Sequence, residues 1–191
     1  MFYDCESLTK LNLSNFYTDK VTTMYKMFAY CQNLLYLDVS SFDTRNVKDM
    51  SYMFFYLLNI TELNLDKFNT KNVKTMERMF AINLKLTSLD LSSFNTKNIE
   101  DMSYLFQQCS SLEFIDLSNF DVSKVTSMVY IFLLSQSLTS LNLSHFRTPN
   151  VIEISNMFNR CTNLKSLDLS NFDTHKVTNL KNMFYMCSSH L

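Results

Sequence analysis

Five cysteines and three histidines are the side chains here best suited to nucleophilic, redox or metal chemistry. Cys5, Cys31, Cys109, Cys161 and Cys187 are separated by 26, 78, 52 and 26 residues, all multiples of 26. A zinc site needs closely spaced donors such as CxxC, and this spacing supplies none. In a 26-residue repeat, Cys5/Cys31 and Cys161/Cys187 would sit on adjacent units and could approach bridging distance. The odd total favours buried thiols instead, as does the presence of Leu57, Asn83 and Ser135 at the same repeat position. His145, His175 and His190 fall at three different repeat positions. No Ser–His–Asp or metal constellation follows from them, and they read as solvated surface.

Other chemistries are excluded by composition. The chain has 191 residues and no glycine, where average usage would give about 13. Phosphate-cradling loops, GxGxxG turns and GxSxG elbows all need glycine for close approach or positive φ. With 17 basic and 18 acidic residues, no nucleic-acid footprint is expected. No apolar run is long enough to span a membrane. No signal peptide is visible at the start, which leaves an intracellular protein or a piece of a longer one. Three N-x-S/T sequons, at Asn12, Asn59 and Asn142, read as by-products of a repeated motif.

What positions these residues is a repeat. Phe2, Phe28, Phe54, Phe80, Phe106, Phe132, Phe158 and Phe184 lie 26 apart without a slip. Phe16, Phe42, Phe68, Phe94, Phe120, Phe146 and Phe172 form a second series with the same period. Methionine follows, with one column running Met24, Met50, Met76, Met102 and Met128. Each unit reads LxxLxLSxFxTxxVxxMxxMFxxC, as in "LKSLDLSNFDTHKVTNLKNMFYMC". The expected organisation is one array over residues 1–191: seven 26-residue units, no linker, both ends mid-repeat.

The first half of a unit alternates, as in Leu167, Asp168, Leu169, and predicts a short half-buried strand. The second half places Val177, Leu180, Met183, Phe184 and Cys187 on one face of a helix of about three turns. Thr148 before Pro149, the sole proline, marks the boundary as an N-cap. Threonine holds that position in six of seven units, with Val122 the exception. The predicted fold is an α/β leucine-rich-repeat solenoid, a horseshoe with short parallel strands on the concave face and short helices on the convex face. Its strands, about 4.8 Å apart, would form a ladder about 30 Å long. Ordinary leucine-rich repeats place Asn where the Phe16–Phe172 series stands. That series is therefore expected to be a stacked aromatic spine worth about 2–3 kcal/mol per ring. The backbone groups Asn would have bonded then fall to Ser14, Ser40, Ser92, Ser118, Ser144, Ser170 and the following threonines.

The units "LDLSNFDTHKVTNLKNMFYMC", "LDVSSFDTRNVKDMSYMF" and "LDLSSFNTKNIEDMSYLFQQC" resemble the BspA-like leucine-rich-repeat family of bacterial surface proteins. The resemblance covers essentially the whole chain. It implies a repeat solenoid, a surface-exposed or lipid-anchored protein, an adhesive role, and no enzymatic activity. That family usually has glycine just before the Cys; here Tyr30, Tyr56, Ile82, Gln108, Leu134, Arg160 and Met186 stand there.

Strand residues between the buried leucines face the concave side. One column is Asn12, Asp38, Asn64, Asp90, Asp116, Asn142, Asp168. Stacked carboxylates could hold a cation such as Ca²⁺; the interleaved Asn, which dilutes the charge, reads as a solvated polar face. The column before it varies most: Lys10, Tyr36, Glu62, Ser88, Phe114, Ser140, Ser166. Variation at an exposed position of a regular array is where a binding surface would be written. The expected ligand-binding residues are Lys10, Tyr36, Asp38, Glu62, Asp90, Phe114, Asp116 and Asp168, with no cofactor and no metal. The expected role is a non-enzymatic adhesion scaffold, cell-surface or secreted, taking a protein or glycan partner, with end-to-end self-association a further possibility. The alternative is a spacer or stalk segment with no ligand of its own.

Overall fold

The computed structural model describes residues 1–188. Any expectation for His190 lies outside them. The fold is a repeat solenoid: backbone groups of each unit bond their counterparts about one repeat later. Among the described residues there are four short strands: β1 (Lys10–Asn12), β2 (Tyr36–Asp38), β3 (Ser140–Asn142) and β4 (Ser166–Asp168). They pair in parallel as β1–β2 and β3–β4, with Leu11 opposite Leu37 and Leu141 opposite Leu167.

The expected seven-strand ladder is therefore not continuous. Residues 62–64, 88–90 and 114–116 of the middle units stand at the equivalent positions, with Leu63, Leu89 and Ile115 buried at their centres, but are not paired as strands. The unbroken parallel ladder lies elsewhere, running Thr23, Asp49, Thr75, Asp101, Ser127, Glu153, Asn179. The pitch is fixed on that side. Three-residue strands add few bonds of their own, so the concave ladder opens without breaking the stack.

The convex helices are absent among the described residues; an arc of consecutive turns replaces them. In the unit after β1, the N–H groups of Met24, Lys26, Phe28 and Tyr30 donate to the carbonyls of Asp49, Ser51, Met53 and Phe55, at 2.9–3.0 Å. The intervening Met27, Ala29 and Cys31 donate three residues back, to Met24, Lys26 and Phe28. Every N–H is used, half within the unit and half between units. A helix would have spent them all internally. The apolar spacing of Met24, Met27, Phe28 and Cys31 is satisfied because these turns also bring every third or fourth residue inward.

Such turns need positive φ at two positions per unit, the type II requirement. Fifteen non-glycine residues supply it, among them Lys26 (φ 54°), Tyr30 (65°), Ile82 (60°) and Arg160 (60°). The second of these positions is where the BspA-like family usually carries glycine. The corner forms without it because interunit hydrogen bonds hold the backbone there. The left-handed region costs an L-residue about 1–2 kcal/mol, part of which glycine returns through its unfolded-state entropy. Arg160 is exposed and its N–H bonds the Tyr185 carbonyl at 2.8 Å. Arg160→Gly is expected to stabilise by about 0.5–1 kcal/mol, read as a rise in the guanidinium midpoint. A fall would show that the Arg160 side chain contributes more than its backbone conformation costs.

The core is aromatic, but its continuous spine is not the expected one. Phe2, Phe28, Phe54, Phe80, Phe106, Phe132, Phe158 and Phe184 stack in sequence, with ring centroids 5.6–5.9 Å apart and planes within 2–14°. The other series stacks only at Phe68–Phe94 and Phe146–Phe172. Phe16, Phe42, Phe68 and Phe94 also lie against rings of the first series, as Phe42 does against Phe28 at 6.3 Å. The arc rings repeat at every unit because the arc is bonded at every unit.

The threonines cap no helix. Thr18, Thr44, Thr70, Thr96 and Thr148 are buried and clasp the next unit. Each Oγ1 donates to the carbonyl of the residue 25 positions on and accepts that residue's N–H, as Thr96 does with Asp121 at 3.0 and 2.7 Å. The expected serines are not the substitutes for Asn. The residue just before the Phe does that work: Ser41 to Leu13 and Phe16, Ser93 to Leu65, Asn119 to Leu91 and Phe94. His145 belongs to this set, so it is not a solvated histidine: its Nε2 lies 2.8 Å from the Leu117 carbonyl and its ring sits edge-on to Phe146. His175 is exposed, 2.6 Å from Asp173.

The cysteines are free. Cys109 and Cys161 donate to the Phe80 and Phe132 carbonyls at 3.1 Å, and Ser135 does the same to Phe106 at 2.9 Å. Burial pushes both thiols up to about 12, so they stay protonated and unreactive at neutral pH.

Candidate functional site: the concave groove

Strand alternation sends one leucine inward and its neighbours outward. Across the middle units these outward residues line a groove of about 1070 Å³. Tyr36, Asp38, Glu62, Asp90, Phe114 and Asp116 all line it. Lys10 and Asp168 do not; they lie on β1 and β4, towards the two ends of the stack. Tyr36 is 50% and Phe114 64% exposed, so both rings are open to a partner.

The Asp/Asn column has a local task. In all seven units its Oδ1 accepts the N–H two residues on, from Asn12 with Ser14 (2.9 Å) to Asp168 with Ser170 (2.9 Å). Each bond closes a turn that ends the strand. For Asp90, Asp116 and Asp168, bonds from the backbone and then the side chain of Ser92, Ser118 and Ser170 hold the carboxyl below its usual range. For Asp38 the Ser40 side chain leads. These groups are anionic at neutral pH. Among the described residues no group of three or more His, Cys, Asp or Glu is placed to hold a metal ion. Among the described residues there is no helix long and apolar enough to cross a membrane.

The family described as "Mycoplasma protein of unknown function, DUF285" matches residues 1–113 and 81–190, nearly the whole chain. The chain belongs to the DUF285 family. This agrees with the bacterial repeat-protein kinship implied by its 26-residue unit. No curated protein matches the DUF285 chain. Among solved structures it is similar to a leucine-rich-repeat protein of Leptospira interrogans, at 19% identity and TM-score 0.31, over 92% of this chain and 57% of that one. A leucine-rich-repeat protein of Bacteroides ovatus is 14% identical, TM-score 0.30, over 94% and 62% of the two chains. A leucine-rich cell surface protein of Faecalibacterium prausnitzii is 13% identical, TM-score 0.25, over 88% and 75%. The DUF285 chain thus spans less than two thirds of the first two.

The DUF285 arc carries a second feature that sequence reading missed. Tyr30, Tyr52, Phe55, Tyr56 and Ile82 pack around Ala29 and Ala81 on the outside of the stack. The Arg78 guanidinium lies 3.7 Å from the Tyr104 ring centre, bonds the Tyr52 hydroxyl, and pairs with Glu77 at 2.7 Å. Lys26 sits 5.1–5.8 Å from the ring centres of Tyr3, Tyr25 and Tyr52. The signal was legible: Tyr52, Tyr104 and Tyr130 share one repeat position, and Tyr30 and Tyr56 another. Assigning those positions to a helix hid it, because the turns carry them outward together.

Proposed function

We propose that the chain is a non-enzymatic interaction scaffold of a bacterial surface protein, adhesive in role, that takes a protein or glycan partner into its concave groove. The groove supports this reading: about 1070 Å³ of concave surface framed by two exposed aromatic rings, Tyr36 and Phe114. Exposed aromatics are the residue type that most often carries binding energy at interfaces. The BspA-like resemblance supports a cell-surface or secreted setting. The test is a binding screen against immobilised matrix proteins and glycans, repeated with Tyr36→Ala and Phe114→Ala. The expected result is a ligand whose affinity falls about tenfold or more in either variant. A ligand that both variants bind as tightly as the parent would remove the site from this face.

Two observations favour the alternative, a spacer with no ligand of its own. Every member of the Asp/Asn column is committed to a strand-ending turn, and the arc ring stack runs unbroken from Phe2 to Phe184. Both features stiffen the stack.

A further inference from the structure

The groove is charged in one sense. Asp38, Glu62, Asp90, Glu113 and Asp116 line it, and no lysine or arginine does. Over the whole chain 17 basic residues stand against 18 acidic ones, so the one-signed lining is local to the groove. The segregation is not required by the fold. Asn12, Asn64 and Asn142 close the same strand-ending turn as Asp38, Asp90 and Asp116, at 2.9–3.1 Å. A neutral amide therefore does the structural work, and the three charges are surplus to it.

Two further observations bear on the shape of an occupant. The groove crosses the units from Tyr36 to Phe114, three repeat steps, or about 15 Å at strand spacing. No described backbone hydrogen bond joins residues 62–65, 88–91 and 114–117 to one another. The segments flooring the groove are therefore not tied to one another by backbone bonds.

From this charge and shape we infer that the groove binds an extended, lysine- or arginine-bearing polypeptide segment. About five residues at about 3.3 Å each would cross it. Its cationic side chains meet Asp38, Glu62, Asp90, Glu113 and Asp116, and the aliphatic stems of those side chains lie against Tyr36 and Phe114. This inference rests on the concave face being the binding face, and it names the class of partner.

The probe is a fluorescein-labelled decapeptide of alternating lysine and serine, followed by fluorescence anisotropy. An isomorph with glutamate in place of lysine and a neutral serine–alanine decapeptide accompany it. Asp38→Asn, Asp90→Asn and Asp116→Asn are combined in one variant, which keeps all three turns and so should melt with the parent. A charge-matched control carries Glu6→Gln, Asp19→Asn and Asp66→Asn, none of which lines the groove. The lysine peptide is expected to bind the parent and the control alike, to bind the groove variant about tenfold more weakly or worse, and to lose affinity as salt rises. Equal weakening in the control and the groove variant would overturn the inference, since net charge alone would then explain binding. Binding of the neutral or glutamate peptide as tightly as the lysine peptide would also overturn it. In that case weakening by Tyr36→Ala would leave the concave binding face standing. Failure of the lysine peptide to bind the parent would overturn it outright.

Discussion

Phe106→Ala is expected to lower stability by about 3–5 kcal/mol, the usual range for emptying a buried phenylalanine site. Phe106 is fully buried at the middle of the arc stack, 5.9 Å from Phe80 and 5.6 Å from Phe132. The loss is a large part of the roughly 5–15 kcal/mol by which domains are stable. It should also change the form of unfolding. In a solenoid each unit touches only its neighbours, so a weakened central interface uncouples the two halves. A single urea transition, followed by circular dichroism, should become shallower or split in two. Phe16 provides the comparison, because it lies at the end of its series and is 38% exposed. Phe16→Ala should cost about 1 kcal/mol, in proportion to the smaller area it buries. Equal losses at both positions would show that the stacked arc rings are not what couples the units.

The second large effect concerns the threonine clasp. Thr96→Val keeps the side-chain shape but removes two bonds, one to the Asp121 carbonyl at 3.0 Å and one from its N–H at 2.7 Å. At about 0.5–1.5 kcal/mol per net bond, the expected loss is about 1–3 kcal/mol. The chain contains the reverse experiment. Val122 is 2% exposed at the same repeat position, where a valine can make neither bond. Val122→Thr would place a hydroxyl against the Arg147 backbone, and a gain of about 1–2 kcal/mol is expected. Both are read as shifts in the thermal midpoint. A Val122→Thr chain that melts at or below the parent temperature would mean that the Arg147 backbone has nothing to gain from the hydroxyl.

Both predictions start from positions that the sequence marked and the structure reassigned. The period, the buried columns and the alternation of the strand are legible along the chain. An array whose units touch only their neighbours writes every contact at the same spacing. Leu11, Leu37 and Leu141 are therefore read as inward, and Tyr36, Glu62 and Phe114 as outward, from parity alone. The same parity placed Tyr36, Asp38, Glu62, Asp90, Phe114 and Asp116 where they line one groove. It could not say that Lys10 and Asp168 would fall outside it, because the extent of the groove depends on how several units splay together.

What the sequence by itself determined is the unit and its inside face: a 26-residue coil with phenylalanine, methionine and leucine inward, repeated without a slip. The tertiary structure decided how the backbone between those side chains is bonded. Met24, Met27, Phe28 and Cys31 suit a helix and a chain of turns equally well, since both bring residues inward every three or four positions. The choice lies in the N–H groups of Met24, Lys26, Phe28 and Tyr30, which find their carbonyls one unit away. That partner exists only once the next coil is stacked. The same stacking turned Thr96 from an expected cap into a clasp, made the arc phenylalanines the continuous spine, and brought the tyrosines of the positive-φ positions together on the outer face. Side-chain burial is set by local pattern and survives either backbone; hydrogen-bond partners 25 residues apart are set by the stack.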